Sequence, residues 1–130
     1  MMPRREILHI SPHPDDEAVG APATLLALRD KGFEVTNIVT SLGAPADRDR
    51  RRAEVLEAGR IGDFRVKILD DVIAGAPADY EAAVTAAILT ASSRAPVILV
   101  SPSPHDKHPR HEAVGRATAA AAKKLGAEAA

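Results

Sequence analysis

Hydrophobic positions along the chain alternate between short continuous runs and longer periodic stripes. The run Glu6–Ser11, EILHIS, is apolar except at its ends and at His9, and it predicts a buried strand. Ala23–Gly32, ATLLALRDKG, predicts a helix that stops at its glycine. Glu34–Ser41, EVTNIVTS, is β-branched and predicts a second strand. Ala46–Gly62 predicts a helix with Val55, Leu56, Gly59 and Ile61 near its buried side. Arg65–Asp70 predicts a third strand, and Ala78–Ser93 a helix capped by Asp79 after Pro77. Pro96–Ser101, PVILVS, predicts a fourth strand, and Arg110–Gly126 a last helix. Pro22 leaves one start open: the first helix begins there, or begins near Asp15 and bends.

Strands alternating with helices of this length imply βαβ units and a parallel sheet. Right-handed crossovers close such units into a doubly wound sheet, with 3-2-1-4 as the common order. The expected fold is therefore α/β: a three-layer, Rossmann-like, doubly wound and mostly parallel sheet, as one domain over residues 1–130. In that order strands one and four lie side by side, and ligands bind outside the carboxyl ends of the strands at this switch point. The segments that follow these two strands are SPHPDDE and SPSPHDKHPRHE, and they hold four of the five histidines in the chain. The topology thus predicts that the unusual chemistry of the sequence meets in one place.

Composition narrows the partners. Aromatic residues are 2% of the chain, so the core must be built from Ala, Val, Ile and Leu. A formal net charge of −1 excludes the strongly basic face of a dedicated nucleic-acid binder. There is no cysteine, which excludes disulfides and zinc–thiolate sites within this sequence. The first apolar run is about five residues, short of the roughly 7–15 of a secretion signal, and no run approaches the roughly 20 of a membrane span. The expectation is a cytoplasmic protein without a membrane span.

The first segment holds three adjacent acids, Asp15, Asp16 and Glu17, after His13. Alone, this pattern is equally a helix start, where carboxylates favour the positive end of the helix dipole. The second segment holds His105, His108 and His111 at three-residue spacing, which places them along one face of a turn or helix. Three histidines opposite three acids shift the balance to a metal. Nitrogen and carboxylate donors without sulfur suit zinc, and another first-row divalent ion would also fit. A catalytic zinc takes three protein ligands and keeps a position for water, whose pKa it lowers. His9 lies inside an apolar strand and reads as a packed core residue, and His105 as a loop residue.

HPDDE followed far downstream by a paired HxxH resembles the LmbE / PIG-L family of zinc-dependent deacetylases, which act on N-acetylglucosamine-type substrates. The resemblance runs from about Ile7 to Gly115 and takes in TSLG and an RxxE segment. It implies that His13, Asp16 and His111 ligate Zn²⁺, and that Asp15 is the general base for an activated water that attacks the amide carbonyl. It implies that His108 stabilises the oxyanion or protonates the leaving amine, and that Arg51, in the RxxE segment with Glu54, binds substrate. Arg51 also fits a solvated helix face beside Arg48, Arg50 and Arg52. Glu17 and Asp106 are expected to support these groups from behind. The implied partner is a small amino-sugar substrate, and a sheet that ends early implies a homo-oligomer.

Two departures from the family pattern matter. The family reads His-Pro-Asp-His at the second motif, and here it reads His108-Pro109-Arg110-His111. An arginine close to His108 favours the neutral imidazole and weakens a general-acid role. The family also continues past the last helix, so this domain is expected to lack that C-terminal extension. Both departures keep open an alternative: a non-catalytic metal-binding or assembly member of the same fold. A nucleotide-binding sheet is the weaker third reading, since the first turn has no G-x-G-x-x-G.

Overall fold

Strands with nearly unbroken apolar runs are stable only when both faces are covered, which is the position of the central strands here. The computed structural model of the chain describes residues 5–12, 22–42, 45–69, 77–92, 97–102, 105 and 109–126. The strands are β1 (Glu6–Ser11), β2 (Glu34–Val39), β3 (Arg65–Ile68) and β4 (Val97–Val100). The helices are α1 (Pro22–Asp30), α2 (Arg48–Gly62), α3 (Pro77–Ala91) and α4 (Pro109–Leu125), with a single 3₁₀ turn at Pro45–Asp47 before α2. The described sheet has the order β3-β2-β1-β4, and every pairing is parallel. The expected switch point is therefore present: β1 pairs with β2 on one side and β4 on the other.

Alternation along the strands divides the core into two faces. Leu8, Ile10, Ile38 and Leu99 pack with Tyr80, Val84 and Ile88 of α3 and with Ala113, Val114, Ala117 and Ala121 of α4. On the other face Ile7 and Val35 pack with Leu25, and Val39 with Val55 of α2. The alanine stripe of α4 lets that helix lie close to α3, as the near absence of aromatics demands. Gly59 does the same for α2 on β3, because a Cβ there would stand 2.5 Å from Val66 Cγ2.

The boundaries differ from the sequence expectation where hydrogen bonding decides them. α1 ends in a left-handed Gly32 (φ 97°), with the Phe33 and Gly32 amides closing on Leu28 and Arg29 carbonyls. Pro22 is the first residue of α1, while the stretch from Asp15 lies outside the described residues. β2 ends at Val39 rather than Ser41, although the Thr40 amide still donates to the Ser11 carbonyl at 2.9 Å; His13, the residue after Pro12 that would continue the pairing, lies outside the described residues. β3 ends at Ile68 and α3 at Ala91. Asp79 is not the N-cap of α3. The helix begins at Pro77, whose missing N–H costs nothing at a first position, and Asp79 falls inside the first turn. In α2 only Val55 and Gly59 are buried, whereas Leu56 and Ile61 are 49% and 70% exposed. The helix presents a narrow stripe to a short edge strand, so the wider apolar face predicted from its sequence is not covered by described residues.

Candidate functional site

The expected site lies beyond the carboxyl ends of the strands. β1 and β4 are in register to His9 and Val100, so the segments leaving them start side by side. Of the predicted residues, His13, Asp15, Asp16, Glu17, Asp106 and His108 lie outside the described residues. His111 and Arg51 are described. His111 is the third residue of α4 and is half-buried. It precedes the buried Val114 and Thr118 by three and seven positions, so it extends the buried stripe of α4 toward the carboxyl edge of the sheet. His105 is exposed in the connection before α4. Among the described residues no three His, Asp or Glu side chains form a metal-sized cluster. Two of the three expected ligands, His13 and Asp16, are not among them. The donor set itself, two imidazoles and a carboxylate on segments that leave adjacent strands or follow them, fits a first-row divalent ion.

Four arginines crowd the start of α2, and the structure distinguishes two of them. The Arg50 guanidinium is exposed and held by Asp47 and Glu54, both at 3.2 Å, which raises its pKa further above the ordinary arginine value. Arg51 is half-buried and turns the other way, donating to the Leu42 carbonyl at 3.4 Å. Leu42 follows β2, so this contact brings Arg51 toward the carboxyl end of the sheet.

Beneath the first loop lies a buried polar network that the motif reading did not assign. Ser11 Oγ donates to Asn37 Oδ1 at 2.6 Å. His9 Nδ1 stands 3.1 Å from the same oxygen and 3.0 Å from Ser11 Oγ. The serine hydrogen is already committed, and an amide oxygen only accepts. His9 Nδ1 therefore carries the hydrogen and donates into the pair, which fixes the tautomer. His9, Ser11 and Asn37 are all at least nine-tenths buried. On the opposite face Thr40 Oγ1 donates to the Pro12 carbonyl at 3.3 Å and contacts Tyr80 Oη at 2.7 Å. Because the threonine hydrogen faces Pro12, Tyr80 is the donor in the second bond. The Thr40 amide also donates to the Ser11 carbonyl at 2.9 Å. The backbone at Ser11 and Pro12, the last described residues before HPDDE, is thus held from both faces of the sheet. One sequence signal was available: His9, Ser11 and Asn37 interrupt buried strands on a single face, and buried polar groups persist where they are paired.

Arg110, the residue that departs from the family motif, has its guanidinium carbon 5.3 Å from the Tyr80 ring centroid. It leans toward α3 instead of standing free above the loop.

A doubly wound parallel sheet in which β1 pairs with β4, the two strands followed in the sequence by acid- and histidine-rich segments, defines an α/β protein with a candidate site at the switch point. Residues 8–122 match the family described as PIG-L, GlcNAc-PI de-N-acetylase, and the chain belongs to that family. A probable N-acetyl-α-D-glucosaminyl L-malate deacetylase 2 from Bacillus cereus is 30% identical, over 93% of this chain and 62% of its own length. The crystal structure of the A40926 pseudoaglycone deacetylase Dbv21 is 26% identical with a TM-score of 0.78, over 98% of this chain and 62% of that one. Teicoplanin deacetylase Orf2, in its zinc-inhibited form, shares the fold with a TM-score of 0.80 at 18% identity, over 95% of this chain and 65% of that one. The chain therefore spans under two thirds of the length of these relatives. No helix among the described residues is long and apolar enough to cross a membrane.

Proposed function

We propose that the protein is a metal-dependent N-deacetylase that hydrolyses the acetamide of a small N-acetylglucosamine-type substrate. The observation that carries this reading is the pairing of β1 with β4, which starts HPDDE and HDKHPRH from neighbouring strand ends. Family membership and the named activities of the relatives support it.

His13, Asp16 and His111 would hold the ion, zinc or another first-row divalent metal. When bound, it supplies positive charge that polarises the amide carbonyl and makes a nearby water more acidic. Asp15 takes the proton of the attacking water. His108 donates a hydrogen bond to the oxygen on which negative charge develops, and a proton on this side lets the amine leave. Arg51 binds substrate from the α2 side, where its bond to Leu42 already aims it. Glu17 and Asp106 orient the groups that act. Buried bonds at His9, Ser11, Asn37 and Thr40 hold the root of the HPDDE loop, and acid–base chemistry depends on such placement.

The test is metal content and deacetylation of N-acetylglucosamine conjugates, in wild type and Asp15→Asn. Asp15→Asn should keep its metal and lose about 10²–10⁴-fold in kcat. His111→Ala should lose metal as well. Bound metal without Asp15-dependent turnover on a broad panel would leave the non-catalytic reading standing and overturn this one.

A further inference from the structure

The first turn of α4 carries a charge of the wrong sign for its place. The amino end of a helix is its positive end and favours acids there. Arg110, its second residue, adds a cation. Five other described arginines have carboxylate partners: Arg29 with Asp30, Arg50 with Asp47 and Glu54, Arg60 with Glu57, Arg65 with Glu34, and Arg116 with Glu81. Arg110 has no ion pair among the described residues; it rests over the ring of Tyr80.

That seat is linked to the root of the first motif. The Tyr80 ring is buried (6% exposed), and its hydroxyl donates to Thr40, which in turn holds the Pro12 carbonyl at the root of HPDDE. A guanidinium held by a ring face spends none of its N–H donors on a carboxylate, so they stay available to an incoming anion. Across the carboxyl end of the sheet, Arg51 likewise contacts a carbonyl and no carboxylate among the described residues. Two guanidinium groups, one from each helical layer, thus lie toward one end of the sheet, and neither has a carboxylate partner among the described residues.

We propose that Arg110 is a specificity-determining residue, which selects substrates carrying a negatively charged group, carboxylate or phosphate, outside the N-acetyl function. The proposal rests on the deacetylase reading only for the identity of the reaction.

Three matched glycosides test it with the full chain supplied with zinc: methyl N-acetylglucosaminide, N-acetylglucosaminyl malate and N-acetylglucosamine 1-phosphate. Wild type should prefer the charged compounds in kcat/KM. Arg110→Gln should lower the charged-to-neutral ratio by roughly tenfold, the scale of one charged hydrogen-bonded pair. The change should fall in KM, shrink with added salt, and be partly restored in Arg110→Lys. A response to malate alone identifies a carboxylate substrate, and to the 1-phosphate alone a phosphate substrate. A ratio equal in wild type and Arg110→Gln overturns the proposal. If wild type turns over none of the three, the deacetylase reading falls, and the same ratio is read from calorimetric Kd values. A binding preference lost in Arg110→Gln then upholds the role of Arg110, and an unchanged one overturns it.

Discussion

The two ends of the sheet handle polar groups in opposite ways. At the carboxyl end His9, Ser11 and Asn37 are buried and bond one another, and on the other face the buried Thr40 bonds Tyr80 and the Pro12 carbonyl. At the amino end Glu6, Glu34 and Arg65 meet as charges within reach of water, with Arg65 and Glu34 3.6 Å apart. An open groove there, lined by Arg29, Asp30, Glu34, Asp63, Arg65, Phe33 and Phe64, is as polar as the site but lies at the other end of the strands. Exposed ion pairs contribute little and tolerate change. Buried hydrogen-bonded groups are expensive to leave unpaired. A fold that places its costly polar groups under one loop spends its stability on holding that loop.

The sharpest way to break this contrast is Asn37→Ala. It removes the acceptor shared by His9 and Ser11 from a buried network, a loss of about 2–4 kcal/mol. That is a large share of the roughly 5–15 kcal/mol that stabilises a domain. Urea midpoints measure it. A cost no greater than that of Arg65→Ala would erase the distinction between the two ends.

Thr40 and Tyr80 refine the comparison within the carboxyl end. Thr40→Val removes a bond from both the Tyr80 hydroxyl and the Pro12 carbonyl, at about 2–3 kcal/mol. Tyr80→Phe removes one donor and leaves Thr40 bonded to Pro12, at about 1 kcal/mol. Equal losses would mean that the donor assignment is reversed. Because Thr40 also fixes Pro12, Thr40→Val should lower kcat of the proposed reaction more than Tyr80→Phe does.

The contrast also explains what could be read from the sequence. Strand order and the pairing of β1 with β4 were legible, because continuous apolar runs and βαβ spacing are local signals. The glycine stop of α1 was legible for the same reason. Leu56 and Ile61 misled, since burial on α2 depends on how much of it the short strand β3 can cover. The different settings of Arg50 and Arg51 were not legible: both sit in one basic run, and the contact of Arg51 with Leu42 exists only in the fold. Asn37 and Thr40 carry no motif, and their role exists only once β1 and β2 are paired.

At the amino end, Arg65→Ala should cost less than about 1 kcal/mol, since its pair with Glu34 is long and largely solvated. The loss should shrink further in high salt, where exposed charges are screened. A loss above 2 kcal/mol in the same urea assay would place this pair in the class of the buried network.

Glu6 supplies the smallest effect and the one with a definite pH signature. Partial burial raises its carboxyl pKa above the ordinary value, the charge of Glu34 raises it further, and Arg65 opposes them. The folded state therefore holds this proton more tightly than the unfolded chain does. Its stabilising contribution is complete at pH below the ordinary carboxylate value and is lost as pH rises through the raised one. Above both values the native state carries a partly desolvated charge beside a like charge. Glu6→Gln removes that charge, so at pH 7 it should stabilise the protein by about 0.3 kcal/mol, a figure kept small because the site is largely open to solvent. At about pH 3 both wild-type states are protonated and the difference should vanish. Urea midpoints at the two pH values read it directly. A glutamine variant less stable than wild type at pH 7 would show that attraction to Arg65 outweighs burial and repulsion, and the amino end would then owe more to its ion pairs than their exposure suggests.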